Sequence, residues 1–211
     1  MHIGQIIKSD VANGIGFRLS VFVSGCTNHC PFCFQKETWN FDFGHLYTEE
    51  VEKSILLELE KPYYDGITIL GGEPMEFQNQ EGIISLIRKV KKMKNKTIWI
   101  YTGFLYEDLL PGGQRYGVYT DEILDGIDVL VDGKYVEELN DEEMLKGSKN
   151  QKMIILKESY RDKYNAYMSS HISEIQNFTT PNGIISVGIH RPGYEQELDL
   201  KLKEKGLRKD E

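Results

Sequence analysis

The sequence is poor in cysteine: its 211 residues include only three, and all three lie between positions 26 and 33. Three thiols can form at most one disulfide, so a small fold held together by several disulfides is excluded. A chain of this length can instead bury about 70% of the surface that its unfolded form exposes. We therefore expect a hydrophobic core and thiols that are free for other chemistry.

Long apolar runs are also missing. No segment approaches the roughly 20 apolar residues that a membrane-spanning helix needs. The N-terminal stretch MHIGQIIKSDVANG has neither the basic start nor the apolar centre of a secretory signal. Together with the free thiols, this predicts a cytoplasmic protein in a reducing environment, with no membrane partner.

Basic residues are fewer than acidic ones. The chain has 25 Lys and Arg residues against 33 Asp and Glu residues, a formal net charge of −8. A protein that binds nucleic acid without specificity needs a basic face. We therefore expect no direct contact with nucleic acid.

Short apolar runs alternate with helical patterns along most of the chain, which predicts an α/β fold with a parallel sheet covered by helices. One helix is expected to begin after Thr48, which can cap it, and to end at Pro62. Further helices are expected at about 79–94 and 162–177. The predicted strands are residues 18–24, 66–70, 97–102, 126–132, 152–157 and 183–189, with a possible edge strand from Leu198 to Lys203.

Chemically useful residues follow several of these strands. In parallel sheets, sites gather at the carboxyl ends of the strands. The residues at or just beyond predicted strand ends are Cys26, Gly71, Thr102, Asp132 and His190.

The stretch GCTNHCPFCF (25–34) contains all three cysteines. On a helix, Cys26, Cys30 and Cys33 would share one face and could simply pack inward. Pro31 argues against a helix, because proline lacks the backbone donor and disfavours helical geometry in the residue before it. The stretch therefore predicts an open loop that points three sulfur atoms at a metal centre.

Two metals compete for this loop. A structural zinc site needs four ligands, so His29 or His2 would have to complete it. Cysteine thiolates at this spacing are typical of iron–sulfur ligation. A 4Fe–4S cluster held by three thiolates leaves one iron open to a small molecule. The absence of a fourth cysteine therefore favours a cluster that binds a small molecule over one that only transfers electrons.

The spacing CxxxCxxC followed by Phe34 resembles the radical S-adenosylmethionine superfamily, and GGEP (71–74) resembles its second signature. The chain also resembles the family of activating proteins of anaerobic ribonucleotide reductase, and the motifs cover about 13–157 in the order that the family uses. The segments that carry this second resemblance are QKETW (35–39), YTGF (101–104), IDVLVDGKYV (127–136) and GSKNQ (147–151).

The resemblance implies a single domain, residues 1–211, with a partial (β/α)6 barrel whose parallel strands have helices outside. Its core would be 13–157, and 158–211 would complete or cover the barrel. It implies one 4Fe–4S cluster on the three cysteines, S-adenosylmethionine as the second cofactor, and the reductase large subunit as the partner that receives a glycyl radical. An external donor such as flavodoxin or ferredoxin would supply the electron.

The resemblance also implies roles for residues near the cluster. Phe32 and Phe34 would lie near the adenine, the glycines and acid of GGEP would bind the methionine amino group, and the ends of two later strands would line the site. For most of these residues ordinary packing or a surface ion pair remains an alternative. The implied cofactor-binding residues are Phe32, Cys33, Phe34, Gly71, Gly72, Glu73, Tyr101, Thr102, Asp132 and Lys134.

The sequence departs from the family pattern in two places: NGIG (13–16) replaces the usual DGPG, and Glu73 replaces a frequent aspartate. Three functions stay open: activation of the reductase, radical chemistry on another glycyl-radical enzyme or a small molecule, and a zinc-stabilised adaptor without catalysis.

Overall fold

The computed structural model describes residues 1–140, 145–170, 176–180 and 183–187. The chain forms two compact units, Met1–Ser170 and His171–Glu211. In the described part of the chain, none of the helices is both long enough and apolar enough to cross a membrane.

The first unit is built on one seven-stranded sheet. In spatial order the strands are β3 (His45–Leu46), β1 (His2–Asp10), β2 (Arg18–Val23), β4 (Gly66–Gly71), β5 (Thr97–Tyr101), β6 (Val129–Asp132) and β7 (Lys152–Ile155). Four neighbouring strands, β2, β4, β5 and β6, run parallel, and β1, β3 and β7 pair with antiparallel neighbours.

The helices of this unit include those predicted to begin after Thr48 and at about 79–94. The Thr48 side chain accepts a hydrogen bond from the backbone N–H of Val51 and so caps the first helix, as expected. The α-helices are α1 (Glu49–Leu59), α2 (Phe77–Val90), α3 (Tyr106–Leu109), α4 (Thr120–Gly126) and α5 (Arg161–Ser170), and the 3-10 helices are Lys36–Trp39, Glu137–Leu139 and Glu158–Tyr160.

The fold is a mixed α/β structure, and the predicted partial (β/α)6 barrel is not confirmed. The predicted strand at 152–157 is present as β7, but it runs antiparallel to β6, with Leu130 opposite Ile154. Between β6 and β7 the described residues contain only the 3-10 helix Glu137–Leu139. A parallel return usually passes through an α-helix packed on the sheet, and the described residues of this connection form none, so the chain turns back along its neighbour instead.

The predictions beyond residue 160 are only partly correct. The helix expected at 162–177 is observed at Arg161–Ser170, whereas Gln176 and Asn177 belong to strand β8 (Gln176–Thr180). The strand expected at 183–189 is observed as β9 (Gly183–Val187), but it pairs antiparallel with β8 in a separate two-stranded sheet. His190 and the edge strand expected at 198–203 lie outside the described residues.

The two faces of the large sheet are covered differently. On one face, buried aliphatic side chains of β2, β4 and β5 pack with those of α1, α2 and α4 in one large core. On the other face, Trp99 packs edge-on against Tyr164 of α5, with ring centroids 5.4 Å apart. Helix α5, which follows the region of family resemblance, thus covers part of the second face.

Arg18 lies fully buried on this second face, 5.2 Å from the centroid of the Trp99 ring. Its guanidinium donates to the hydroxyls of Thr68 and Thr97 at 2.6 and 3.0 Å. It also donates to backbone carbonyls, including that of Ile67 at 2.6 Å. Burial lowers the pKa of Arg18 to about 10. The side chain therefore ties together the first residues of β2, β4 and β5.

We expect Arg18→Met to lower the free energy of unfolding by about 3 kcal/mol or more, because several buried acceptors lose their donor. Urea unfolding of the metal-free protein measures this change. The control is Arg161→Met, since Arg161 pairs with Glu158 on the surface at 2.8 Å and such pairs contribute about 1 kcal/mol or less. Equal losses in the two variants would contradict a special role for Arg18.

Candidate functional site

The cysteine loop begins directly after β2 and is held by the residues that follow it. The backbone N–H of Gly25 donates to the Thr38 carbonyl at 2.7 Å, and that of Cys26 donates to the Trp39 carbonyl at 3.3 Å. Gly25 has a φ of +95°, and a Cβ there would lie 2.2 Å from the Phe41 ring. A residue with a side chain would not fit, so glycine is required where the strand passes into the loop.

The three cysteines are free thiols in unequal surroundings. Cys26 is buried, whereas Cys30 and Cys33 are partly exposed. Burial raises the pKa of Cys26 to about 11. Burial also raises the pKa of Cys30, and the nearby Lys134 ammonium partly offsets this rise.

The loop is not helical, as Pro31 suggested: His29 adopts a positive φ of +47°, and a turn joins the Cys33 N–H to the Cys30 carbonyl at 3.1 Å. Within the described residues, no three His, Cys, Asp or Glu side chains surround a common metal position. Ligation by all three cysteines therefore stays a prediction.

The two phenylalanines of the loop face solvent. Phe32 is 61% exposed and Phe34 is 83% exposed. Exposure of large apolar surface to water is unfavourable, and exposed apolar patches are typical of surfaces that bind a ligand or a partner. Their predicted place beside an adenine ring is compatible with this exposure and remains a prediction.

The glycine pair after β4 brings the second motif against the cysteine loop. The Gly72 N–H donates to the Val23 carbonyl at 2.7 Å, and the Glu73 N–H donates to the Gly25 carbonyl at 2.8 Å. A Cβ on Gly72 would lie 2.8 Å from the Gly25 carbonyl oxygen. Only glycine permits this approach, so GGEP and the cysteine loop are locked together through their backbones.

The Glu73 carboxylate is completely buried between these elements. Its Oε1 accepts from the Thr102 hydroxyl at 2.6 Å and from the Met75 N–H at 3.0 Å. Its Oε2 accepts from the Gly103 N–H at 2.7 Å and from the Asn28 side-chain amide at 2.9 Å. Glu73 thus joins three segments of the site, and both of its oxygens already have protein donors.

Tyr101 and Thr102 are adjacent but make different contacts. Thr102 is buried and donates to Glu73. The Tyr101 hydroxyl donates to the Leu145 carbonyl at 2.9 Å, and its ring packs with the cluster that contains Trp99. Thr102 therefore belongs to the Glu73 site, and Tyr101 belongs to the second face of the sheet.

Asp132 and Lys134 are also separated. Asp132 is buried, where its carboxylate accepts from the backbone N–H groups of Tyr106 at 2.8 Å and Lys152 at 3.1 Å. Gly133 has a φ of +95°, which turns the chain at the end of β6. Lys134 is exposed and close enough to Cys30 to affect its pKa. The structure thus places Lys134, rather than Asp132, beside the cysteine loop.

Comparison with known proteins agrees with this arrangement of motifs. Residues 12–154 match the family described as a 4Fe-4S single cluster domain. The chain is 36% identical over 154 residues to the anaerobic ribonucleoside-triphosphate reductase-activating protein of Enterobacteria phage T4, covering 72% of this chain and 93% of the relative. It is 35% and 34% identical over 155 residues to the proteins of that name from Salmonella typhimurium and Escherichia coli K12, covering 72% of this chain and 96% of each relative.

The chain belongs to the family of anaerobic ribonucleoside-triphosphate reductase-activating proteins. The resemblance based on the cysteine spacing, GGEP and the later motifs is therefore confirmed. The relatives match about 155 residues over nearly their whole length, so more than a quarter of this chain has no counterpart in them.

The donor atoms of the loop fit the iron–sulfur cluster expected of this family. Three free thiols occur within eight residues, and the sequence has no further cysteine. Thiolates are the usual ligands of such clusters, and binding of a metal offsets the burial that raises the thiol pKa. Among the described residues, the buried Ser24 Oγ, Asn28 Oδ1 and Asn79 Oδ1 have no hydrogen-bond partner, which leaves polar atoms beside the loop for a bound group.

The sequence did not point to several residues that build the site. Thr27 and Asn28 lie between the first two cysteines and contact Glu76 and Glu73. The Asn79 amide donates to the carbonyls of Ser24 and Glu73 at 3.0 and 2.9 Å. The close spacing of two acids in GGEPME was the available signal, since a second carboxylate three residues after the first can reach the same loop.

The Glu73 carboxyl should make stability depend on pH. Burial raises its pKa from 4.5 to about 7, although hydrogen bonds from Thr102, Met75 and Gly103 oppose this. Between these values the folded protein keeps a proton that the unfolded chain has lost, so the unfolding free energy falls as pH rises. The full fall is about 3 kcal/mol.

Urea unfolding of the metal-free protein at pH 5 and pH 8 measures this dependence. Glutamine does not titrate, so the Glu73→Gln variant lacks this pH dependence. The unfolding free energy of the wild type should therefore fall relative to that of the variant as pH rises. A difference that is the same at both pH values would contradict the raised pKa.

Proposed function

We propose that this protein activates anaerobic ribonucleoside-triphosphate reductase by radical chemistry that uses a 4Fe–4S cluster and S-adenosylmethionine. One observation carries the proposal: a loop with three free thiols is locked through backbone hydrogen bonds to a Gly-Gly-Glu-Pro segment at the carboxyl ends of parallel strands. The relatives named for this activity support the choice of partner.

Cys26, Cys30 and Cys33 would hold the cluster, with one iron left free of protein ligands. When bound there, the cluster and S-adenosylmethionine would supply the radical chemistry that removes a hydrogen atom from a glycine of the reductase. The protein's own part is to orient the reactants and to keep water away from them.

The residues around GGEP would bind the methionine end of S-adenosylmethionine. Gly71 and Gly72 allow a ligand to approach the backbone closely. Once ionised, Glu73 would provide negative charge near the ammonium group of the ligand, and the unpartnered Asn28 Oδ1 is an acceptor beside it. Because both Glu73 oxygens already accept protein hydrogen bonds, its action on the ligand would be largely electrostatic.

The adenine would stack on the exposed rings of Phe32 or Phe34, and Lys134 would place a positive charge beside Cys30. The four parallel strands would form the parallel part of a partial barrel. Three cysteines leave no ligands for a second cluster, so the electron would come from an external protein such as flavodoxin or ferredoxin. These properties suit a protein of the reducing cytoplasm.

The test is reconstitution under oxygen-free conditions. We expect brown protein with about four iron and four sulfide per chain. Incubation with S-adenosylmethionine, a reductant and the reductase large subunit should then give 5′-deoxyadenosine and a glycyl radical, seen by electron paramagnetic resonance. Stoichiometric zinc without iron would support the adaptor instead. Release of 5′-deoxyadenosine without a radical on the reductase would indicate a different substrate.

A further inference from the structure

A second buried carboxylate, besides Glu73, holds the cysteine loop. Glu76 is 5% exposed, and its Oε1 accepts from both the backbone N–H of Thr27 at 2.9 Å and the Thr27 hydroxyl at 2.5 Å. Glu73 accepts from the next residue, Asn28. Two consecutive residues between Cys26 and Cys30 are thus bound to two carboxylates that lie three positions apart.

Glu76 also connects the loop to the segment that follows β5. Its Oε2 lies 3.7 Å from a guanidinium nitrogen of Arg115. A second guanidinium nitrogen of Arg115 lies 3.4 Å from the Thr27 hydroxyl, and the guanidinium stacks over the Phe104 ring at 4.1 Å. Thr27, Glu76 and Arg115 therefore form a closed triangle of contacts, which we call the Thr27 triangle.

The chemistry of the triangle suits a positioning role. Charge-assisted hydrogen bonds are shorter and stronger than neutral ones, and their strength grows when water is excluded. Thr27 is exposed, so core packing does not require its hydroxyl to contact a carboxylate. The hydroxyl contributes to the position of the loop rather than to the core.

We propose that Glu76, acting through Thr27, is a positioning residue for the iron–sulfur cluster: it holds Cys26 and Cys30 at the spacing that the cluster needs. This inference rests on the proposed function. Without the triangle, the loop between the two cysteines would keep only the hydrogen bond from Asn28 to Glu73 and the ring contact of His29 with Trp39, so the cluster would be inserted more slowly and lost more easily.

Thr27→Val and Thr27→Ser form the sharpest pair of test variants. Valine keeps the shape of threonine and removes the donor, whereas serine keeps the donor. We expect the cluster of Thr27→Val to be lost to a ferrous chelator about tenfold faster than that of wild type, on the scale of one hydrogen bond to a charged group. Thr27→Ser should restore a rate near that of wild type.

Glu76→Gln adds a second, independent variant. Its amide can still accept from Thr27 but no longer pairs with Arg115, so we expect a smaller acceleration than in Thr27→Val. Glu122→Gln is the matched control, because Glu122 also binds an arginine, Arg88, through two hydrogen bonds of 2.6 Å at an exposed site. Thermal unfolding of the metal-free proteins checks that each variant folds.

The electron paramagnetic resonance spectrum of the reduced cluster, with and without S-adenosylmethionine, provides a readout that stability alone would not change. We expect an altered spectrum in Thr27→Val and a normal one in Thr27→Ser. If wild type takes up iron and Thr27→Val matches it in chelation rate and spectrum, the inference is wrong and the proposed function stands. If wild type takes up no iron, both are wrong.

Discussion

Replacing Cys33 by alanine is expected to abolish binding of the iron–sulfur cluster. The chain has three cysteines, so the variant can offer at most two thiolates to a cluster that needs three. Iron and sulfide analysis after anaerobic reconstitution, together with the visible absorbance of the protein, measures the loss. We expect values close to those of a protein without a cluster.

Cys33 is the best cysteine for this experiment because of its surroundings. Cys26 is 7% exposed, so its replacement would also disturb packing at the end of β2. Cys33 is partly exposed, and its removal should leave the fold intact. Ser54→Ala on α1 removes a single exposed hydroxyl and serves as the control. A Cys33→Ala protein that still held four irons would refute the ligand assignment.

Glu73→Gln is expected to weaken binding of S-adenosylmethionine more than it lowers cluster content. Each Glu73 oxygen accepts two hydrogen bonds. In glutamine an amide NH2 group replaces one of these oxygens, and it would face two donors without being able to accept from either. The strand-end site would lose charge and about two hydrogen bonds, so we expect the dissociation constant to rise about tenfold or more.

Titration of the reconstituted proteins with S-adenosylmethionine measures this change, and iron content is determined on the same samples. Glu122→Gln again controls for the loss of a carboxylate elsewhere. If Glu73→Gln and wild type bind S-adenosylmethionine equally well, Glu73 has no part in binding it.

Local features of the fold could be predicted well from the sequence. Thr48 and the acids after it indicated where α1 begins, and the short apolar runs located β2, β4, β5 and β6. These elements depend on signals within a few residues. Strand β1 was missed because it is irregular: its pairing with β2 contains two register shifts, and Ser9 has a φ of +57°.

The direction of a strand could not be predicted in the same way. The apolar pattern of β7 is the same whether it runs parallel or antiparallel to β6, because direction depends on the path between them. Likewise, regular alternation along a strand would place Asp132 and Lys134 on one side, but Gly133 turns the backbone between them.

The site was predictable where chemistry depends on spacing and not where it depends on distant contacts. Cys26, Cys30, Cys33 and GGEP could be found because their residues are adjacent in sequence. The link from Glu73 to Thr102 joins positions 29 residues apart, and that from Glu76 to Thr27 joins positions 49 apart. The spacing of the acids in GGEPME indicates that Glu76 can reach the loop, but no local pattern identifies Thr102 or Thr27 as the partner.

The chain has two tryptophans, one beside the cysteine loop and one on the second face of the sheet. They give the protein two intrinsic fluorescent probes in different surroundings. The Trp39 ring centroid is 4.7 Å from that of His29 in the cysteine loop, so its emission should be quenched when iron is taken up. Trp99 packs against Tyr164 of α5, so its emission maximum should instead report the packing of that helix on the sheet. A Trp39→Phe protein and a Trp99→Phe protein would let cofactor loading and the packing of α5 be followed separately, in real time and without an attached dye.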